Sequence, residues 1–250
     1  MSLHPAFLGP AIAHRGLHDR AAGRIENSRA AVAAAVAAGY GIEIDVQRSA
    51  DGEAMVFHDD ALDRLTAATG PLRARSAADL GRIVLTGGGG ETIPTLGEIL
   101  SLVAGRAALL VEVKDQSGRM DATGVGPLEA RVAALLAGYA GPAAAMSFNP
   151  ASVAALRDAA PGLARGLTAC GPDGWEGAAG ADRLAAMADW DAVGAAFCSY
   201  RWRDLPTAET ARRRAAGLPV LSWTLRSAAD EAAARRHCDN VTFEGYSPAA

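Results

Sequence analysis

The chain has 250 residues, half of them apolar, with 24 basic against 28 acidic residues and a formal net charge of −4. That is enough apolar sequence for the core of one ordinary to large domain, and the charge balance offers no general attraction to nucleic acid or an anionic membrane, either of which needs a basic excess. Three cysteines, Cys170, Cys198 and Cys238, odd in number and never in CxxC spacing, argue against a disulfide framework or a zinc ribbon and fit a reducing compartment.

The opening MSLHPAFLGP lacks the basic start and continuous apolar stretch of a secretory signal. The longest weakly polar run, residues 30–42, is shorter than a bilayer span and ends at Glu43. A soluble, cytoplasmic protein without stable membrane association is the expectation. Along the chain, β-like runs at 11–14, 42–46, 108–113, 143–148, 163–168, 193–198, 219–225 and 240–243 alternate with Ala-rich helical stretches near 28–38, 95–104, 126–138, 150–159, 181–189, 206–216 and 227–237. Asn27 or Ser28 caps the first helix, Thr95 with Glu98 forms a capping box, and Asn149-Pro150 opens the fourth. Eight strands alternating with helices over this length predict an α/β fold, a (β/α)8 TIM barrel. A doubly wound sheet is the rival, but no glycine-rich phosphate loop follows the first strand. Residues 1–250 read as a single barrel domain, interrupted by a small ordered insertion at 47–94 over the active-site face, in which the glycines at 87–90 read as a flexible joint.

Barrel active sites lie at the carboxyl ends of the strands. The first strand ends in Ala13-His14-Arg15-Gly16. Glu43 and Asp45 are two residues apart and so share one face of the second strand, and Glu112 and Lys114 repeat the device on the third. Three converging carboxylates, Glu43, Asp45 and Glu112, repel unless a proton or a cation joins them. All-oxygen ligands favour one hard divalent ion, Mg²⁺ or Ca²⁺; the alternative is an ion-pair network with Arg15 and Lys114. Lys114 is the chain's only lysine among its 24 basic residues. If Asp51-Gly52 forms a two-residue hairpin loop, Ala50 pairs with Glu53 and His58 lies opposite Asp45, whereas a one-residue slip turns it away. Two histidines, two cationic donors and a metal would make a site for a phosphate ester. Trp223 is either core or a wall for the substrate. His4, His18 and His237, and the consecutive Arg212, Arg213 and Arg214, read as solvated surface, and Cys198 as core.

The stretches AHRG at 13–16, EN at 26–27, GIEIDVQRSADGEAMVFHDDALDRLT at 41–66, IPTLGEIL at 93–100, VEVK at 111–114, SF at 147–148 and SWT at 222–224 resemble, in the same order, the glycerophosphodiester phosphodiesterases of the phospholipase-C-like barrel superfamily. The resemblance covers nearly the whole chain, densely to residue 150 and sparsely beyond. It implies His14 and His58 as the acid/base pair, Glu43, Asp45 and Glu112 as ligands of the divalent metal, Arg15 and Lys114 as phosphate donors, and Glu26 as support. It also implies a small-molecule glycerophosphodiester substrate, cleaved to glycerol 3-phosphate and an alcohol. The chain departs from the family where the last strand usually ends in a Thr-Asp-x-Pro pattern: here it reads Asn240-Val241-Thr242-Phe243-Glu244-Gly245-Tyr246-Ser247-Pro248. After the Trp-Thr pair it has Leu-Arg rather than Val-Asn. The alternatives are a phospholipase-D-like enzyme that forms cyclic phosphates from intact lipids and needs an apolar rim, and a non-catalytic phosphate-ligand barrel, whose mark would be a lost histidine or metal acid.

Overall fold

A computed structural model describes residues 2–174 and 181–248. Its strands are β1 (Ile12–Ala13), β2 (Gly41–Arg48), β3 (Ala54–Val56), β4 (Leu109–Val113), β5 (Ala143–Ser147), β6 (Ala164–Ala169), β7 (Phe197–Arg201), β8 (Val220–Leu225) and β9 (Asn240–Phe243). All but β3 are parallel neighbours, and β1 pairs with both β9 and β2, which closes eight strands into the expected barrel. The helices are α1 (Arg29–Ala38), α2 (Ala77–Leu80), α3 (Leu96–Val103), α4 (Pro127–Ala137), α5 (Pro150–Ala159), α6 (Ala181–Ala185), α7 (Trp190–Val193), α8 (Ala208–Ala215) and α9 (Ala228–Ala234). Ser28 caps α1, Thr95 and Glu98 form their capping box on α3, and Asn149 caps α5 ahead of Pro150. Among the described residues no helix is long and apolar enough to cross a membrane.

Strand alternation sorts the interior into two regions. Ile42, Ile44 and Val46 of β2, with Val111 and Val113 of β4, face outward into the core shared with the helices. The inward positions near the amino ends of the strands are apolar: Ile12, Leu110, Met146, Phe197 and Leu221 pack together, and Leu3 and Phe7 from the amino-terminal segment close that end. Asn240 holds the plug by donating to the carbonyls of Phe7 and Pro10, each at 2.8 Å. With this end sealed by apolar side chains and Asn240, the charged inward positions on β2 and β4 face the cavity at the opposite, carboxyl end.

Several expectations need correction. The seventh strand runs from Phe197 to Arg201 rather than over 193–198, because Val193 ends α7 and Gly194 caps that helix in the left-handed region. The helix expected at 181–189 is two short ones, α6 and α7. The hairpin of β2 and β3 pairs Val46 with Val56, Gln47 with Met55 and Arg48 with Ala54. Ser49 N–H donates to Glu53 O, so the connection has one residue more than the predicted two-residue loop, with Gly52 at positive φ. Asp45 therefore faces Phe57, whose side chain joins a separate apolar cluster with Met55, Leu62, Leu65, Leu72, Leu80, Leu85 and Ile93. This cluster orders the insertion. The glycines at 87–90 form a hydrogen-bonded turn, not a flexible joint: Gly88 N–H reaches Leu85 O and Glu91 N–H reaches Gly88 O. Arg213 is buried rather than solvated, stacked on Trp190 and paired with Glu209 and Asp191.

Candidate active site

The carboxyl ends of the strands surround a cavity of about 820 Å³ whose lining includes His14, Arg15, Glu43, Asp45, His58, Glu112, Lys114 and Trp223. The backbone explains the His-Arg-Gly sequence that follows β1. Arg15 adopts a left-handed conformation at φ 54° that non-glycine residues seldom take, and its neighbours hold it there. Its N–H donates to Glu43 Oε2 at 3.0 Å, and its carbonyl accepts from Asn27 N–H. Gly16, at φ 76°, lies against α1, where a Cβ would come within 2.8 Å of the Ala31 carbonyl carbon. Only glycine permits that approach.

Glu43, Asp45 and Glu112 are brought together as the alternation predicts: all are buried, and one oxygen from each lies within 4.8 Å of the others. Lys114 Nζ bridges Glu112 at 2.7 Å and Asp45 at 3.2 Å, while Arg15 Nε approaches Asp45 at 3.3 Å. Asn27 holds Asp45 by donating to its carboxylate and accepting from its N–H. Glu43 is served less well. It accepts the Arg15 N–H, yet its buried Oε1 has no partner. Burial, then repulsion from Asp45 and Glu112, raises its pKa well above the ordinary carboxylate value. Two cations, one of them shared with Glu26, leave the three acids short of positive charge. The donor set and the orphaned oxygen therefore fit a divalent cation better than a closed ion-pair network.

Both histidines reach the cavity and are held alike. His14 Nδ1 lies 2.6 Å from Glu244, whose other oxygen is clamped by Arg226 at 2.6 Å. His58 Nδ1 lies 2.7 Å from Asp59, which Arg64 clamps at 2.6 Å. Burial opposes ionisation of Glu244 and Asp59, but hydrogen bonds from their histidines, aided by the arginines, hold both well below the ordinary carboxylate range. An ionised carboxylate can only accept, so each Nδ1 carries the proton and each Nε2 is left for chemistry. Burial also lowers the pKa of His14. His58 reaches the mouth despite the shifted register because β3 ends at Val56; beyond it Gln47 fixes the turn, donating to His58 O and Asp60.

Glu26 sits between two guanidinium groups, 2.6 Å from Arg15 and 2.7 Å from Arg64. Burial opposes its charge, yet hydrogen bonds from Arg64 and the charge of Arg15 lower its pKa from 4.5 to about 2. A carboxyl whose folded pKa lies below its unfolded value stabilises the fold above the unfolded value and loses that contribution as pH falls through the folded one. Glu26→Gln is therefore expected to lower the melting temperature at neutral pH and to flatten its decline between pH 4.5 and about 2. Thermal melting as a function of pH checks it.

Trp223 lines the cavity, donates from Nε1 to Ser199 O at 2.9 Å and meets Phe148 edge-on. Sequence reasoning missed Glu244 as a partner of His14, and it read His18 as solvated although its Nε2 lies 3.5 Å from Glu244. The two departures at the ends of β8 and β9, Arg226 and Glu244, are partners of each other. An acid just past a strand end, with an arginine just past the next one, was the available signal. Thr168, Ser199 and Thr242, also on the cavity wall, were missed as well.

A closed eight-stranded barrel with this acidic, histidine-flanked mouth at the carboxyl ends of its strands places the chain in the class of (β/α)8-barrel enzymes. The sequence profile of the glycerophosphoryl diester phosphodiesterase family matches residues 14–241, and the chain belongs to that family. It is 35% identical over 113 residues to the glycerophosphodiester phosphodiesterase of Caldanaerobacter subterraneus subsp. tengcongensis, a stretch covering 43% of this chain and 45% of that protein. The match thus spans less than half of the curated relative. Among solved structures, a glycerophosphodiester phosphodiesterase of Agrobacterium tumefaciens superposes with a TM-score of 0.70 at 25% identity, covering 94% of this chain and 96% of that one. A phosphodiesterase of Oleispira antarctica, solved with the product sn-glycerol-3-phosphate, superposes with a TM-score of 0.78 at 24% identity, covering 96% of this chain and 94% of that one. The latter likeness is one of fold.

Proposed function

We propose that the protein hydrolyses small glycerophosphodiesters to glycerol 3-phosphate and an alcohol, with one divalent metal ion, Mg²⁺ or Ca²⁺, held by Glu43, Asp45 and Glu112. The observation that carries the reading is the pair of imidazoles, each tied through Nδ1 to an arginine-clamped carboxylate, on the same cavity as the three buried acids. The metal, when bound, supplies a positive charge beside the phosphate that offsets charge built up in the transition state. Arg15 and Lys114 keep N–H groups beyond those used on their carboxylates and hold the phosphate oxygens, Arg15 by its planar fork and Lys114 as a compact charge. Glu26 keeps the Arg15 guanidinium in place, and Trp223 forms a wall for the substrate.

Hydrolysis requires one proton to leave the attacking oxygen and one to reach the departing alkoxide. His14, whose burial favours the neutral imidazole, suits the acceptor, and His58 at the rim then serves the leaving alcohol. Glu244 and Asp59, both ionised, hold the two rings by Nδ1; Glu244 stabilises the imidazolium that forms on His14, and Asp59 the imidazolium from which His58 gives its Nε2 proton to the alkoxide. Among the described residues the exposed large hydrophobic side chains are Leu8 and Val84 alone, so no apolar rim supports the reading in which intact lipid is the substrate. Three buried free cysteines suit a cytoplasmic setting.

The test is release of glycerol 3-phosphate from glycerophosphocholine, -ethanolamine, -glycerol and -inositol, with lyso-lipids in parallel. Cleavage of at least one glycerophosphodiester, abolished by EDTA and restored by Mg²⁺ or Ca²⁺, is expected. Failure on every diester with either ion overturns the reading. Activity surviving exhaustive chelation removes the metal from it.

A further inference from the structure

We propose that His14, His18 and Glu244 form a site for Zn²⁺, separate from the three acids, whose occupation switches the enzyme off. The site stands on geometry alone; its effect on turnover rests on the phosphodiesterase reading, in which His14 Nε2 accepts a proton.

The backbone brings the two histidines to one carboxylate. Arg15 and Gly16, both at positive φ, turn the chain directly after His14. Leu17 fixes the turn: its N–H donates to Ala31 O at 2.9 Å, and its carbonyl accepts from Arg24 Nε at 3.2 Å. His18, four residues after His14, thereby comes back to the same glutamate. Glu244 Oε2 lies 2.6 Å from His14 Nδ1 and 3.5 Å from His18 Nε2. One donor atom from each of the three residues lies within 4.8 Å of the others. Ligands of a single tetrahedral zinc ion, bound at about 2.0–2.2 Å, stand roughly 3–4 Å apart, so small side-chain shifts suffice.

Two details favour an ion over a plain chain of hydrogen bonds. His18 Nε2 is turned away from solvent toward Glu244 and yet has no hydrogen-bond partner, because the carboxylate stands beyond the usual N–H···O distance. An ion between the donors satisfies that nitrogen, and it needs no water-sized opening at the atom itself. Arg226 holds Glu244 Oε1 at 2.6 Å, which leaves Oε2 to the two rings. The side chains of His14, His18 and Glu244 are 14%, 25% and 17% exposed, so an ion enters past their edges. Neither His18 nor Glu244 lines the substrate cavity, so the site lies beside it and shares only His14.

The donor set selects the metal. Two imidazole nitrogens and one carboxylate suit zinc, whereas the all-oxygen set of Glu43, Asp45 and Glu112 suits Mg²⁺ or Ca²⁺. Three protein ligands leave a fourth position for water, the pattern of an open site and not of a closed structural one. The consequence lies in the tautomer of His14. A neutral imidazole carries one proton, and zinc on Nδ1 moves that proton to Nε2. There it faces Glu43, whose Oε2 lies 3.9 Å away, and a carboxylate behind a metal-bound imidazole supports this tautomer. The nitrogen that accepts a proton in catalysis is then already protonated. Zinc stops turnover in this way without entering the substrate cavity.

Equilibrium dialysis of Zn²⁺ against the protein in a large excess of Mg²⁺ reads the site, and the rate on a glycerophosphodiester in the same buffer reads its effect. The wild type is expected to bind one Zn²⁺ that His18→Gln weakens at least about tenfold, and to lose activity over the same range of zinc. The midpoint of inhibition should rise by the same factor in His18→Gln, each rate being referred to the zinc-free rate of the same variant. Zinc that exchanges with Mg²⁺ at the three acids is untouched by this substitution. Melting curves confirm folding, and His18→Asn carries the test if the glutamine variant does not fold. A wild type that binds no zinc, or midpoints that the loss of His18 leaves unchanged, overturn the site. Zinc held through His18 without inhibition overturns the switch. If the wild type cleaves no glycerophosphodiester at all, the proposed activity falls, and the dialysis still decides the site.

Discussion

His14→Ala and His58→Ala are each expected to lower kcat on a glycerophosphodiester by about 10³-fold or more, near 4 kcal/mol of transition-state stabilisation, with little change in melting temperature. In the proposed reaction the effect is large because each imidazole handles one of the two protons that hydrolysis must move, and among the described residues no third histidine lines the cavity. The fold should survive because each removal leaves its carboxylate paired: Glu244 keeps Arg226 and Asp59 keeps Arg64. Losses from Glu244→Gln and Asp59→Asn should be smaller, since these residues set tautomer and orientation without themselves moving a proton. Steady-state kinetics beside thermal melting checks all four variants. If either alanine variant keeps more than a tenth of wild-type kcat while folded, that histidine has no role in proton transfer.

How much of this arrangement could be read beforehand depended on whether its signal was periodic. Glu43 and Asp45, and likewise Glu112 and Lys114, lie two apart on strands whose intervening residues are aliphatic, and strand pleating alone turns such pairs inward. Ser28, Thr95 and Asn149 marked helix starts because capping is a local hydrogen-bond demand. The hairpin register was not decided locally: Asp51-Gly52 suits a two-residue turn as well as the observed longer one with Gly52 at positive φ. His58 came to the mouth by leaving the ladder, not by pairing in it. Phe57, opposite Asp45, went instead to the insertion's own apolar cluster. The seventh strand was displaced because the apolar end of α7 runs through Gly194, Ala195 and Ala196 into β7, with Gly194 the one break in the apolar pattern. Glu244 lay outside any pattern. Its meaning depends on Arg226, eighteen residues earlier in the chain, and on His14 at the opposite end, which only barrel closure brings together.

Lys114→Arg is expected to reduce kcat/KM by roughly ten- to a hundredfold although it conserves the charge. Nζ lies 2.7 Å from Glu112 and 3.2 Å from Asp45, on a side chain only 17% exposed. Burial works against its charge, but Asp45 and then Glu112 raise its pKa, so it stays an ammonium. One compact ammonium can touch two different carboxylates and still present a third N–H to a phosphate. A guanidinium is larger and planar, and it favours two parallel hydrogen bonds to one partner. Arginine at 114 would draw Asp45 or Glu112 into such a fork, away from the other two acids, and would crowd Arg15, which already approaches Asp45 from the other side at 3.3 Å. The concentration of divalent ion needed for half-maximal activity should therefore rise together with KM, and titrating the ion at saturating substrate separates the two. A variant with unchanged kcat/KM and unchanged ion requirement would show that position 114 needs only a positive charge. The single lysine among 24 basic residues would then have no chemical reason to stand where it does.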